Sequence, residues 1–193
     1  MQIHQLNIQY QPEQDRVLAR INTNTGVELR LWLTRRLMLG LLPLLRKVED
    51  DQLQKSLTAQ PEAELGLAAK DPKVREMLSE FKKERSLQQA DFKTPYKEPQ
   101  TRQPAEPALL VNEVQVTLLA NLNAHIKFIA VFGDPGQKRE IKMDLEQKML
   151  HGLVHLLGKA FADSHWGESS LRSESAELTS GQPQDIPRPK YLN

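Results

Sequence analysis

The sequence predicts an α+β fold: two pseudo-repeated βββα units packed as one domain, with an intervening helical segment and a disordered C-terminal tail. Each unit is an antiparallel meander followed by a helix. Three observations carry this. Apolar and polar residues alternate in 6–33 and again from residue 110, which is the period of half-buried strands. Each alternating stretch gives way to a leucine stripe at helical spacing. Finally, Glu28–Lys47 matches Glu140–Lys159 without a gap, at a constant offset of 112 residues.

In chain order, Leu6, Ile8 and Tyr10 alternate as a first strand, and Gln11-Pro-Glu-Gln-Asp15 is turn chemistry. Val17, Ala19 and Ile21 make a second strand, and Asn22–Gly26 supplies a hairpin connection. Val27, Leu29, Leu31 and Leu33 make a third, with Glu28, Arg30 and Trp32 on its other side. Thr34 is placed to cap a helix whose stripe is Leu37, Leu41, Leu44, Leu45 and Val48. Pro43 falls inside that run, so a kink there or a true start near residue 42 is expected. Pro61–Ala69 reads as a short helix. Asp71-Pro72 is a cap followed by proline at the first helical position, opening a charged helix with a narrow apolar face of Val74, Met77, Leu78 and Phe81.

Leu110–Ala120 is a strand. Ile126–Phe132, apolar on both faces, is a central one. Gly133–Gly136 is a turn, and Arg139–Met143 a short alternating strand. Asp144 and Gln147 have the spacing of a capping box for a last helix with the stripe Leu145, Met149, Leu153, Leu156, Leu157 and Ala160. Lys93–Pro107 holds four prolines, and 167–193 is rich in Ser, Glu, Gln and Pro. Such segments bury too little to offset an ordering cost of about 1–2 kcal/mol per residue. The boundaries are therefore 1–50 for the first unit, 51–92 for a helical insert, 93–109 for a Pro-rich linker, 110–166 for the second unit and 167–193 for the tail.

In the matched segments, seven of twenty positions are identical, including Leu33/Leu145, Gly40/Gly152, Leu41/Leu153 and Leu45/Leu157. A lone meander with one helix is too small for a secure core, so the two units are expected to cover each other about a pseudo-twofold axis. Glycine costs a helix about 1 kcal/mol relative to alanine. Its presence in both copies points either to close packing at Gly40 and Gly152 or to a helix that begins near Gly40.

The 193 residues include 26 Lys and Arg against 25 Asp and Glu, which excludes a strongly basic nucleic-acid wrapper. With no cysteine, disulfides, thiolate catalysis and Cys-based metal centres are ruled out. No apolar run approaches the ~20 residues of a transmembrane helix, and Met1–Leu6 has no signal-peptide character. A cytoplasmic, soluble protein is the expectation. No phosphate-binding glycine loop, dinucleotide fingerprint or nucleophile elbow occurs, so no catalytic residue and no cofactor is assigned.

Arg30, Arg35 and Arg36 gather near a strand-to-helix junction, where backbone N–H groups favour anions. Trp32 sits among them, either buried under the middle helix or exposed as an anchor. Trp and Arg are the residues that dominate interfaces. Leu39 lies on the back of its helix and widens the apolar arc toward a partner or the 51–90 helices. These five residues form the candidate binding site. His151 and His155 have the i, i+4 spacing of a zinc or nickel pair, but no third ligand is evident, and the count of 100° per residue puts both on the exposed face, where they read as solvated. Trp166 is placed to close the last helix onto the core. The Pro-rich tail end, Ile186–Asn193, could dock in a groove or along a strand edge. The reading is a non-catalytic protein-binding or adaptor protein, with a homodimer permitted. The alternative is a weak nucleic-acid or phospholigand binder using the three arginines.

Overall fold

A computed structural model describes residues 3–58, 72–89, 96, 107–132 and 136–167. The first meander comprises β1 (Ile3–Gln11), β2 (Arg16–Thr23) and β3 (Glu28–Thr34). Helix α1 (Arg35–Thr58) follows, then α2 (Pro72–Gln89). The second meander is β4 (Leu109–Leu118), β5 (Ala124–Phe132) and β6 (Gln137–Leu145), followed by α3 (Gln147–Asp163). The six strands make one sheet in sequence order. Neighbours are antiparallel except at the centre, where β3 and β4 run parallel through Leu31↔Leu109 and Trp32↔Leu110.

Strand alternation divides the sheet into a packed face and an open one. Val17, Ala19, Leu31 and Leu33 of the first meander, with Ile126, Phe128, Met143 and Leu145 of the second, are buried on one side. Met38, Leu41, Leu45 and Val48 of α1 and Leu150, Leu153 and Leu157 of α3 complete the same core. Each leucine so buried favours folding by about 1.5–3 kcal/mol over its exposed form.

The helices cross over. α1 follows β3 yet lies chiefly against β4, and α3 follows β6 yet lies chiefly against β1. The crossing is fixed at the tips of the meanders. In the β1–β2 turn, Asp15 takes a left-handed conformation (φ 46°), and its carboxylate accepts hydrogen bonds from Tyr10 Oη at 2.8 Å and from Trp166 Nε1, just beyond α3, at 2.7 Å. In the β4–β5 turn, Leu122 is left-handed (φ 65°), and its carbonyl accepts a 2.6 Å bond from Gln52 of α1. The β2–β3 turn needs its glycine: Gly26 sits at φ 76°, and its N–H closes a turn onto the Thr23 carbonyl.

Several expectations are corrected. α1 is continuous from Arg35 to Thr58 with Pro43 inside it, so it neither begins near residue 42 nor ends near 50. Pro43 is tolerated because it lies on the solvent side, where the Leu39 carbonyl it leaves unpaired can meet water. Thr34 does cap α1, its hydroxyl accepting the Leu37 N–H at 3.3 Å. Leu44, placed in the buried stripe, is 40% exposed, and its burial is taken by Met38 and Leu42 instead. Asp144 does not cap α3. It belongs to β6, and the N-cap is Glu146, with no side-chain cap bond. A Cβ added at Gly40 or Gly152 would meet nothing within 4 Å, so neither glycine marks a close approach. On α2, Met77 and Phe81 are 69% and 61% exposed. That helix packs on α1 and α3 through the side bearing Ser79 and Lys83. The 61–69 helix and the tail lie outside the described residues, as does the linker apart from Tyr96 and Pro107–Leu109.

Candidate functional site

The five residues singled out from the sequence divide between the two layers. Arg30 and Trp32 stand on the open face of the sheet, because Leu31 and Leu33 on either side of Trp32 point into the core. Trp32 is half-buried, but α2 belongs to the helix layer and does not account for this. Its neighbours are Leu18, opposite it on β2, and Leu110, beside it at the parallel junction. Arg36 and Leu39 lie on the outer side of α1, Leu39 being 49% exposed. The arginines therefore line no single concavity.

Arg35 is held by the structure itself. Its Nη2 donates to the Trp166 carbonyl at 3.1 Å. Trp166 is buried, edge-on to Tyr10 at 5.5 Å and to Phe161 at 6.1 Å between ring centroids. The indole hydrogen bond above all, then that of Tyr10, and the nearby Arg35 charge hold the Asp15 carboxyl below the usual carboxylate range. The same bond to Asp15 pushes the Tyr10 hydroxyl above its ordinary value. Trp166 thus closes the last helix onto the core, as its position in the sequence implied.

His151 is not on the exposed face. It is 2% exposed, and its Nδ1 is hydrogen-bonded to Glu49 Oε1 of α1. The helical count failed because α3 is covered on two sides, by the sheet and by α1. Leu150, Val154, Leu157 and Ala160 span about a third of the helix circumference at 3.6 residues per turn, and His151, about 60° beyond Val154 and bonded to Glu49 of α1, widens the buried arc to about half. Lys83 of α2 reaches Glu49 Oε2 at 3.8 Å and Asp50 Oδ1 at 2.5 Å. His151 Nε2 and Gln52 Oε1 are buried without a hydrogen-bond partner. His155 stays exposed, so the two histidines do not converge. Among the described residues no group of three His, Asp or Glu could hold a metal ion.

Sequence reasoning missed this buried polar seam because Glu49 and Gln52 follow the Leu41, Leu45 and Val48 stripe in spacing but, being polar, carry no apolar signal of burial. It also missed the open-face pairs of the second meander. There His125 Nδ1 meets Asp144 Oδ1 at 2.6 Å, and Lys142 bonds Glu140 at 2.9 Å. That bond, with the charge of Lys127, lowers the Glu140 carboxyl below its usual range.

The outer side of α1 carries the most marked combination of exposed groups. Leu39, Pro43 and Leu44 are accessible there, together with Arg36, Arg46 and Lys47. From Arg35 to Val48 the helix has four cationic residues and no acidic one. The Arg46 guanidinium extends over Gly158 of α3. Met77 and Phe81, one turn apart on α2, add two further exposed apolar side chains to the helix layer. No protein-family model, no curated protein and no solved structure gives a significant match to this chain. No described helix is long and apolar enough to cross a membrane.

Proposed function

We propose that this chain is a non-catalytic protein-binding or adaptor protein built on a duplicated βββα scaffold, and that the outer side of α1 is its contact surface. The duplication is supported by register. At the 112-residue offset the first residue of α1, Arg35, falls on the first residue of α3, Gln147. Buried positions then coincide in pairs: Leu31/Met143, Leu33/Leu145, Met38/Leu150, Leu41/Leu153 and Leu45/Leu157. The reciprocal helix crossing adds to this, each helix holding the first turn of the other meander. A pseudo-twofold axis running along the strands accounts for both the crossing and the parallel β3–β4 junction.

The observation that carries the functional reading is the half-exposed Leu39, with Leu44, in a helix whose other side is packed and whose charges from Arg35 to Val48 are all positive, Asp50 and Asp51 following beyond them. Apolar anchors ringed by arginine and lysine suit an acidic, amphipathic segment of another protein. Trp32 and Arg30, on the opposite layer, would belong to a separate contact. The second reading, an anion or nucleic-acid binder through Arg30, Arg35 and Arg36, has less support, because Arg35 is engaged with Trp166 and the other two lie on different layers.

The test is a photo-crosslinking residue placed at Leu39 or at Trp32 in the cell, followed by capture with Arg36→Glu, Leu39→Asp and Trp32→Ala variants. One protein crosslinked from position 39, whose capture is lost with Arg36→Glu and Leu39→Asp and kept with Trp32→Ala, is the expected result. Unchanged capture by both helix variants removes this surface. Binding to nucleic acid that falls steeply with salt would favour the second reading instead.

A further inference from the structure

We infer that the chain's own acidic stretch, residues 168–178, lies along the outer side of α1 until a partner displaces it. The inference rests on the contact surface proposed above and names its resident occupant. Three contacts set α1 and α3 antiparallel: Arg35 with Trp166, Arg46 over Gly158, and Glu49 with His151. The chain leaving α3 therefore arrives at the start of α1. Arg35 Nη2 holds the Trp166 carbonyl at 3.1 Å, and Gly167 follows it, exposed. Whatever comes next begins beside the first turn of α1. Toward the other end of that helix, Lys83 of α2 reaches over the Glu49 seam. Between these two points Arg36, Leu39, Pro43, Leu44 and Lys47 are exposed.

Charge selects this segment. From Arg35 to Val48, α1 carries four cationic residues and no acidic one. Residues 168–178 read Glu-Ser-Ser-Leu-Arg-Ser-Glu-Ser-Ala-Glu-Leu, three glutamates against one arginine, with Leu171 and Leu178 to meet the Leu39 and Leu44 anchors. That is the acidic, amphipathic chemistry the surface suits. The other stretches outside the described residues fit it less well. Residues 90–106, of which only Tyr96 is described, balance Asp91, Glu98 and Glu106 against Lys93, Lys97 and Arg102. Residues 59–71 leave α1 at Thr58, about 28 Å from Leu39 at ~1.5 Å per residue. Residues 186–193 bring Arg188 and Lys190, the wrong sign for a cationic face.

Length and tethering allow the contact and also limit it. Arg36 to Lys47 covers about 17 Å of helix axis. The segment 168–178 reaches at most about 36 Å, ample to run along that face in the direction of α1. Asp50 and Asp51 then end the basic stretch, and with it the contact. A short tether holds the segment at a roughly millimolar effective concentration, so a few direct contacts suffice. Only Leu171, Ala176 and Leu178 are apolar within it. The contact is therefore weak and chiefly electrostatic, and a partner with a larger apolar face displaces it. The chain carries a competitor for its own binding surface.

The absence of cysteine allows single nitroxide labels in the purified full-length chain. Gly40→Cys puts one on the outer side of α1, where an added Cβ meets nothing within 4 Å. Gln14→Cys puts another on the exposed β1–β2 turn, next to Asp15 and so beside Trp166. A segment held by its tether alone would have its amide NMR signals broadened at least as strongly from position 14 as from position 40. The expected result is severalfold stronger broadening of Glu174, Glu177 and Leu178 from position 40. That difference should vanish when ionic strength rises from about 0.1 M to about 1 M, which shortens the Debye length from ~10 Å to ~3 Å. It should also vanish with Glu174→Lys and Glu177→Lys, and return when Arg36→Glu and Lys47→Glu are added. Equal or stronger broadening from position 14, or a difference that survives both salt and charge reversal, would overturn the assignment. A protein captured through Leu39 while the 168–178 signals stay unmoved would sink this inference and leave the surface standing. A docked segment with no protein captured from position 39 would sink the adaptor reading and leave this one standing.

Discussion

The Glu49–His151 contact allows a sharp energetic prediction, because two changes that look alike should differ in cost. Both side chains are almost wholly buried between α1 and α3. His151→Leu installs the residue found at the matching position, Leu39, and leaves the Glu49 carboxylate with only Lys83, 3.8 Å away at the surface edge. An uncompensated buried charge costs about 3–5 kcal/mol. Glu49→Met leaves both ring nitrogens of the buried His151 without a partner, at about 1–3 kcal/mol. The double variant removes both polar groups and fills the space with apolar atoms. It should recover to within roughly 1 kcal/mol of the parent or exceed it.

Urea unfolding of the four chains, read by the fluorescence of Trp166 and Trp32, gives the cycle directly. At roughly 2–4 °C of Tm per kcal/mol for a chain of this size, His151→Leu should melt about 6–20 °C lower. If both single variants lose less than about 1 kcal/mol, the pair is not buried as described. If the double variant is as unstable as the sum of the singles, the pair contributes shape and not charge compensation, and the reasoning fails.

Other expectations are simpler. Asp15→Asn should destabilise the chain at neutral pH by weakening the acceptor for Trp166 Nε1 and Tyr10 Oη. Because the folded carboxyl titrates below its unfolded value, its contribution is present above the unfolded pKa and fades as pH falls through the folded one. Urea midpoints of parent and variant should converge in acid, and a gap that widens there would contradict the assignment. Gly152→Ala, with nothing within 4 Å of the new Cβ, should raise stability by up to about 1 kcal/mol, whereas Gly26→Ala, held at φ 76°, should lower it by about 1–2 kcal/mol. Equal signs for the two glycines in thermal melts would show that one site is misdescribed. Limited proteolysis should cut within 93–107 and leave fragments that co-elute in gel filtration. Fragments that part and remain folded would refute reciprocal helix packing.

Much of this fold was legible in the sequence because alternation and leucine stripes report burial on one side at a time. Strands in which one face is packed and the other open, such as β3 with Leu31 and Leu33 against Arg30 and Trp32, obey that rule. The rule fails where an element is covered on two sides. α3 touches both the sheet and α1, so a one-sided count puts His151 in solvent, and Glu49 and Gln52, being polar, give no sign that the α1 stripe continues through them. Pro43 misled for a related reason: sequence shows the lost donor but not that the freed carbonyl faces water. The binding surface was half legible. Leu39 and Arg36 share the outer side of α1, but the side on which Arg30 and Trp32 stand is set by strand parity, and Arg35 is engaged by Trp166 from 131 residues away.

If the two halves descend from one unit, the positions where they differ separate upkeep of the core from acquired roles. Matching buried residues differ only in apolar shape, as in Met38/Leu150 and Leu42/Val154. Some matching surface and seam residues differ in chemistry, whereas Arg36/Lys148 and Lys47/Lys159 are exposed and cationic in both halves. Leu39 faces solvent where its counterpart His151 is buried, and Trp32 stands where the second half has Asp144, engaged with His125. Arg46 extends over Gly158, which is its own counterpart, so a side chain in one helix fills the space that the other leaves empty. On that proposal, Trp32, Leu39 and Arg46 of the first half stand where the second has Asp144, His151 and Gly158. A symmetric scaffold needs no such divergence to fold. The asymmetry favours a contact made by one half alone, on the outer side of α1, while the second half supplies the packing against which that helix is held.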